Sequence, residues 1–176
     1  MAQALAFAFS PLITRIYTPE AFGMQGVFIA SVSLLWPFVA LRYPMAIVVA
    51  ESDTEVRDLV RLSLFVAASV SIGITIILLG ARQPLLSLFG IEEVGPLIWF
   101  LPLALFLVAL QDTMDFRAAR LGAFRVVGVV TALQALVVNL TRVIGGLIHP
   151  TAAALIVVTS LSYGAQASML RLGLGR

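Results

Sequence analysis

The hydrophobic positions of this chain form long unbroken runs, not the alternating or one-sided patterns of strands and helices in soluble domains. The clearest run extends from 22 to 50, and no charged residue occurs between Met24 and Leu41. With a rise of about 1.5 Å per residue, a helix of this length crosses the roughly 30 Å hydrocarbon layer of a bilayer. Arg42 interrupts the run, and because a charge in lipid is costly, we expect it to face protein or water.

Short polar links separate the other apolar runs, so the pattern predicts a bundle of membrane-spanning helices. The residues 81–95 are predicted to form a loop, and 115–125 a short basic link that begins at Asp115. The His149-Pro150 pair ends the fifth run. The six predicted spans are 2–17, 21–50, 59–79, 96–114, 126–148 and 151–170.

Two of the links carry strong helix-start signals. Thr18 can cap a helix, Pro19 suits the first helical position, and Glu20 favours the positive end of the helix dipole. Ser52 and Glu55 have the spacing of a capping box. These signals predict helices that begin directly after Thr18 and Ser52.

Composition gives the same class. The 176 residues are 61% hydrophobic and only 11% charged, whereas soluble domains have about a quarter charged residues. The strand-length alternation of a membrane barrel is absent from the runs. We therefore predict an all-α integral membrane protein with one lobe over 1–176.

Several chemistries are excluded by residue type. The chain has no cysteine, and all 11 of its basic residues are arginine, so disulfides, cysteine–metal sites, a P-loop lysine and a Schiff base cannot form. The single histidine, His149, lies in a predicted loop. We expect no enzyme, cofactor, metal site or nucleic-acid partner.

The arginines divide unequally between the two sides of the predicted bundle. The links after the first and third spans hold only Arg15 and Arg82. By the positive-inside rule the richer side is cytoplasmic, which places both ends of the chain there. The arginines on that side are Arg57, Arg61, Arg117, Arg120, Arg125, Arg171 and Arg176.

Polar residues inside the spans are the candidate binding residues. Arg42 is either a snorkelling anchor near the cytoplasmic surface or a cation that faces a cavity. Arg142 has the same two interpretations, and with Asn139 and Gln134 it could form one polar stripe, although these side chains could also hydrogen-bond between helices. Sparse cations favour an anionic cargo, because arginine can donate two hydrogen bonds to one phosphate.

Asp112 and Asp115 lie one helical turn apart at the end of the fourth span, close to Arg117 and Arg120. An ion-pair ladder at the membrane interface is the simplest interpretation, and a gate toward another lobe is the alternative.

Two motifs resemble a known family. The segment 10–23, SPLITRIYTPEAFG, resembles the first outer loop of bacterial polysaccharide-exporter flippases, and 41–48, LRYPMAIV, is similar to their second helix. The segments 101–103 and 120–125 are similar to the fourth helix and the link that follows it. The family is the O-antigen and exopolysaccharide branch of the superfamily that includes the multidrug and toxin extrusion transporters.

The resemblance implies a fold with two helical lobes that face each other across a cavity. It implies alternating access that moves a lipid-linked oligosaccharide, usually on undecaprenyl diphosphate, across the bacterial inner membrane. Arg42 would be the cavity cation of the second helix, and Arg15 either a cavity or a structural loop residue. The chain is expected to be the N-terminal lobe only. The expected partners are a C-terminal lobe and the lipid bilayer, with a polysaccharide polymerase or glycosyltransferases as further candidates.

Two other functions remain open. A cation-coupled multidrug or metabolite antiporter would need an intramembrane carboxylate, and only Asp112 and Asp115 come close. A non-transporting membrane scaffold would use its polar residues for helix packing alone, so that replacing Arg42 would change stability and not export.

Overall fold

The computed structural model describes residues 2–40, 43–89 and 92–174, and within these ranges every regular element is helical. The all-α prediction is therefore confirmed for the described residues. A 3₁₀ helix, Glu92–Trp99, precedes the fifth α-helix. The α-helices are α1 Ala2–Ile16, α2 Pro19–Ala40, α3 Tyr43–Val49, α4 Asp53–Phe89, α5 Phe100–Arg120, α6 Phe124–Ile148 and α7 Ala152–Leu174.

Five helical segments of the described chain are long and apolar enough to cross a membrane, where the sequence predicts six. The first predicted span is the difference, since α1 has 15 residues and is only about 22 Å long. The five segments suggest a multi-pass membrane protein. They are Pro19–Val39, Asp53–Ala81, Gly95–Arg120, Phe124–Ile148 and Ala152–Leu174.

Large apolar side chains remain exposed along these segments. Phe38 on α2 is 66% exposed, Phe65 on α4 is 70% exposed, and Leu147 on α6 is 73% exposed. Such an extended apolar surface is unusual for a soluble monomer and suits contact with lipid.

Both predicted helix starts are confirmed. The Ala21 N–H donates to Thr18 Oγ1 over 3.3 Å at the start of α2. At the start of α4 the Glu55 N–H donates to Ser52 Oγ over 3.2 Å, and the Glu55 carboxylate accepts the Glu51 N–H over 2.8 Å. These bonds satisfy backbone donors that have no partner within the helix.

The predicted loop 81–95 is wrong over most of its length. Helix α4 continues to Phe89 through a kink at Ala81, where φ is −129° and ψ is 23°. Pro84 explains the kink, because a proline removes the hydrogen bond to the carbonyl four residues earlier, at Gly80, and clashes with it. The chain thus bends at this proline and remains helical beyond it.

The predicted link 115–125 is also too long. Helix α5 continues to Arg120 through helix-favouring alanines, and the connection to α6 is only 121–123. Gly122 has a φ of 61°, a left-handed conformation that glycine adopts without strain and that commonly ends a helix. Asp115, Arg117 and Arg120 are therefore helical residues.

The helices alternate in direction. The starts of α2 and α7 pack together through Ala21 and Leu155, beside Tyr17, and this region is called the Tyr17 end. The opposite end is called the arginine end. There Met114 near the end of α5 packs against Val130 of α6 and Leu170 of α7. Helices α2, α5 and α7 run toward the arginine end, whereas α1, α4 and α6 run away from it.

Helices α5 and α7 form the centre of the bundle. Leu101 and Leu105 of α5 and Ile156 of α7 are buried in one apolar cluster with Phe28 of α2. Gly164 allows a close approach of α7, since an added Cβ would lie 3.0 Å from Leu107 Cδ2. Small residues commonly permit such contacts between membrane helices.

Candidate functional site

The polar side chains of three helices meet at Thr159 of α7. The Gln25 side chain of α2 donates to Thr159 Oγ1 over 2.9 Å, and Arg142 Nη2 of α6 donates to the same oxygen over 3.0 Å. Thr159 Oγ1 in turn donates to the Leu155 carbonyl over 2.7 Å. One buried hydroxyl therefore uses its donor and both acceptor positions to join α2, α6 and α7.

The cluster lies inside the bundle and near one end of it. Arg142 is six residues from the end of α6, or about 9 Å, and Thr159 is seven residues from the start of α7. Gln25 is 6% exposed and Thr159 is 5% exposed. The cluster is therefore buried between the helices, closer to the Tyr17 end of the bundle.

Arg142 carries a partly buried charge without a countercharge among the described residues. The ion pairs of the described chain are Arg61–Asp58 and Arg120–Asp53, both at the arginine end. The Arg142 Nε atom is buried and has no hydrogen-bond partner among the described residues. An isolated buried charge is costly, so an external anion would be favoured at this position.

Two tyrosines accompany Arg142. The Tyr17 hydroxyl donates to the Arg142 carbonyl over 2.8 Å, and Tyr163 follows Thr159 by about one turn of α7. Burial raises the pKa of Tyr17, while the Arg142 charge opposes this shift. Tyr17 is therefore a neutral donor at ordinary pH.

Gly146 brings Tyr17 to this position. A Cβ added at Gly146 would lie 2.4 Å from Ile16 Cγ2 and 2.8 Å from Tyr17 Cε2. At the neighbouring Gly145 the nearest atom is the Tyr17 hydroxyl oxygen, at 3.9 Å. Only a glycine at 146 lets the end of α1 approach α6 so closely.

The predicted stripe on α6 is only partly assembled. Gln134 Nε2 donates to the Ser162 carbonyl of α7 over 2.9 Å, so it faces the same helix as Arg142. Asn139 is 6% exposed, but its amide donates to the Ala135 carbonyl of its own helix over 2.7 Å. The described structure therefore does not place Asn139 in the Thr159 cluster.

The other two predicted site residues do not join the cluster. Arg15 is an exposed residue in the last turn of α1. Arg42 lies outside the described residues, so its role as a cavity cation stays a prediction. The residues that prediction missed are Gln25, Thr159 and Tyr163. Gln25 is the only amide side chain of α2, and this was the signal that could have identified it.

The acidic residues of α5 do not form the predicted ladder. Arg120 instead donates to the carbonyls of Ile47 and Ala50 at the end of α3, and its Nη2 lies 3.6 Å from Asp53 Oδ1. Asp115 receives a long 3.5 Å contact from Gln111, and its Oδ1 is buried without a partner in the described chain. Arg120 thus fastens α5 to the turn between α3 and α4.

No protein-family model, curated protein or solved structure matches this chain. Its helical architecture and its polar cluster are therefore the basis for a functional hypothesis, together with the two motifs described above.

Proposed function

We propose that this chain is one lobe of a membrane transporter that moves a polyprenyl-diphosphate-linked oligosaccharide from the cytoplasmic to the periplasmic leaflet of the bacterial inner membrane. The observation that carries the proposal is Arg142, a partly buried cation with no carboxylate partner among the described residues. The resemblance of 10–23 and 41–48 to polysaccharide exporters supplies the cargo class.

The chemistry of the cluster suits such a cargo. A diphosphate offers several anionic oxygens, and a guanidinium can donate to two of them at once. Gln25 and Tyr163 supply amide and hydroxyl groups of the kind that hydrogen-bond to sugars, and Thr159 holds Gln25 and Arg142 in place. Arg42 and Arg15 remain predicted contributors to the same path.

A single lobe cannot enclose a translocation cavity, so the proposed mechanism includes a C-terminal lobe that faces this one. Rocking of the two lobes would expose the cluster to each side in turn. The arginine end is proposed to be cytoplasmic, since Arg57, Arg117, Arg125 and Arg171 lie there. The Thr159 cluster would then lie nearer the periplasmic side.

A second candidate is a cation-coupled antiporter. Asp112 and Asp115 are partly buried within a span, and the Gln111 Oε1 and Asp115 Oδ1 atoms are buried with no partner in the described ranges. Acceptor oxygens without donors could bind a proton or a metal cation. This arrangement lies on α5, away from Arg142.

The third candidate is a non-transporting scaffold. The hydrogen bonds of Gln134 and Arg142 to α7 are of the kind that hold helices together. A scaffold would require these contacts for stability and for nothing else.

The test is complementation in a bacterial strain that lacks its own exporter, with a C-terminal lobe supplied. Arg142→Ala should lower surface polysaccharide by about tenfold to a hundredfold, which is the expected loss of a charge-assisted hydrogen bond, at unchanged membrane levels. Arg142→Lys should restore part of the export, because it keeps the charge but not the planar fork. Arg57→Ala removes an exposed arginine of α4 and is the matched control.

Each outcome separates the candidates. Export that persists in Arg142→Ala at normal protein levels would contradict the proposal. A protein level that falls in parallel with export would favour the scaffold. Loss of drug resistance in Asp115→Asn, with polysaccharide export intact, would favour the antiporter.

A further inference from the structure

A groove of about 500 Å³ lies between α2 and α4. Its floor is formed by Leu78, Ile98 and Leu101, which are only 3–6% exposed. Leu34 of α2 and Ile77 of α4 lie at its rim and are 65% and 55% exposed. The groove therefore has a wall on each side and reaches inward as far as α5. The other lining residues are Val27, Ala30, Ser31, Leu35 and Ile74.

The groove lies within segments that are long and apolar enough to cross a membrane. Its α2 wall belongs to Pro19–Val39, its α4 wall to Asp53–Ala81, and the rest of its floor to Gly95–Arg120. Helices α1 and α7 contribute no lining residue. Both walls and the floor are therefore built from described residues of the central helices.

The lining offers little to a polar ligand. Nine of the ten lining residues are aliphatic, and the tenth, Ser31, already donates its hydroxyl to the Val27 carbonyl over 2.9 Å. Water finds too few hydrogen-bond partners in an apolar cavity, which accepts apolar molecules instead. Left empty, the walls would lose dispersion contacts, so an apolar occupant is favoured.

The volume fits a single hydrocarbon chain. A methylene takes up roughly 30 Å³, about the share of one water in the liquid, so 500 Å³ holds roughly 16 methylenes, the length of one acyl chain. Val27 and Leu35 are eight residues apart on α2, and a helix of the corresponding length, about 12 Å, with a diameter of about 10 Å occupies roughly 900 Å³. A helix of a second protein copy is therefore too large to enter the groove.

We propose that this groove binds one acyl chain of a phospholipid from the surrounding bilayer. The chain enters between Leu34 and Ile77 and lies on Leu78, Ile98 and Leu101, where it fills the space between α2 and α4. The site recognises the chain and not the head group, because its described lining carries no charge. The groove shares no residue with the polar cluster described above, so lipid binding here does not depend on the transport proposal.

The test is photo-crosslinking of the whole chain in nanodiscs of phosphatidylcholine. A small fraction of the lipid carries a diazirine within one acyl chain, and peptide mass spectrometry locates the labelled residues. Surrounding lipid should label Phe65, which is 70% exposed. Leu78 and Leu101 are 3% and 5% exposed, so only a chain inside the groove can reach them, and we expect both to be labelled as well.

A first pair of variants fills the groove or leaves it open. Ala30→Phe places a ring in the groove and should lower the labelling of Leu78 and Leu101 by about tenfold, because a ring and a chain cannot occupy the same space. Ser33→Phe adds a ring at an exposed position of α2 outside the groove and should leave this labelling unchanged.

A second pair approaches the groove from α4. Ile77→Trp covers the opening and should lower the floor labelling as Ala30→Phe does. Ile76→Trp, at a neighbouring position that is 62% exposed and does not line the groove, should have no effect. Unchanged labelling of Phe65, together with circular dichroism, confirms that each variant is folded and surrounded by lipid.

Three results would overturn the proposal. Labelling of Phe65 without labelling of Leu78 and Leu101 would mean that a protein segment closes the groove and no lipid chain enters it. Equal losses in Ala30→Phe and Ser33→Phe would mean that the floor labelling does not report on the groove. Loss of floor labelling when undecaprenyl phosphate is added to the nanodiscs would assign the groove to a prenyl chain and not to a phospholipid.

Discussion

Gly146 offers the sharpest test of how α1 is held against α6. In Gly146→Ala the new Cβ would lie 2.4 Å from Ile16 Cγ2 and 2.9 Å from Tyr17 Cζ, distances at which atoms must move. The Tyr17 ring is rigid, so α1 must shift, and the hydrogen bond from Tyr17 to the Arg142 carbonyl is strained or lost. Gly145→Ala is the matched control, because its Cβ meets only the Tyr17 hydroxyl oxygen at 3.9 Å.

The expected magnitude follows from three terms. Overpacking costs about 1–3 kcal/mol and a lost hydrogen bond about 1 kcal/mol, while the helix propensity of alanine returns about 1 kcal/mol. The net destabilisation of Gly146→Ala is therefore about 2 kcal/mol, or roughly 4–8 °C in Tm for a chain of this size. Gly145→Ala keeps the propensity gain alone and should be neutral or slightly more stable.

The assay is thermal unfolding in detergent, followed by circular dichroism. Tyr17→Phe removes the hydroxyl without adding volume, so it should lower stability by only about 1 kcal/mol. The reasoning would be refuted if the two glycine variants unfolded at the same temperature, since the close approach at Gly146 would then have no energetic consequence.

Three further predictions concern individual contacts. Thr159→Val should destabilise the chain by about 1–2 kcal/mol because Arg142 and Gln25 lose their shared acceptor, and Thr159→Ser should restore stability in the same unfolding assay. Arg120→Ala should speed hydrogen exchange at the end of α3 because the Ile47 and Ala50 carbonyls lose their donor, whereas Asp53→Asn should have little effect, its side chain being 96% exposed. Ser52→Ala should cost about 1 kcal/mol and loosen the first turn of α4 in hydrogen exchange, and unchanged protection there would contradict the capping role.

Helix boundaries were predictable where the sequence carries local signals. Thr18 and Ser52 cap the helices that the sequence predicts, because capping depends on residues three or four positions apart. The predicted ends of α4 and α5 lie before the observed ends, because no local signal fixes where these two helices end. A proline such as Pro84 can either end a helix or kink it, and packing against neighbouring helices decides between the two.

The composition of the polar cluster was less predictable. Arg142 and Gln134 stand out as polar residues in an apolar run, and the structure directs both toward α7. Thr159 does not stand out, because threonine is common in membrane helices and usually bonds to its own backbone. Its role depends on how α2, α6 and α7 are rotated about their axes, and this rotation is set by packing between helices and not by local sequence.

The central claim is that the Thr159 cluster, which includes Arg142, faces a water-filled path. Thiol labelling tests this claim most directly. The chain has no cysteine, so single-cysteine variants need no background removal. Tyr163→Cys places a thiol one helical turn after Thr159, and Leu161→Cys places one on the exposed face of α7, where Leu161 is 55% exposed. The thiolate is the reactive form and requires water.

In membranes that also contain a C-terminal lobe, a membrane-impermeant thiol reagent should label Tyr163→Cys rapidly. It should label Leu161→Cys at least tenfold more slowly, since that face would lie in hydrocarbon. Equal protection of both positions would contradict the account, because the cluster would then be packed away from water and Arg142 would serve only to join helices.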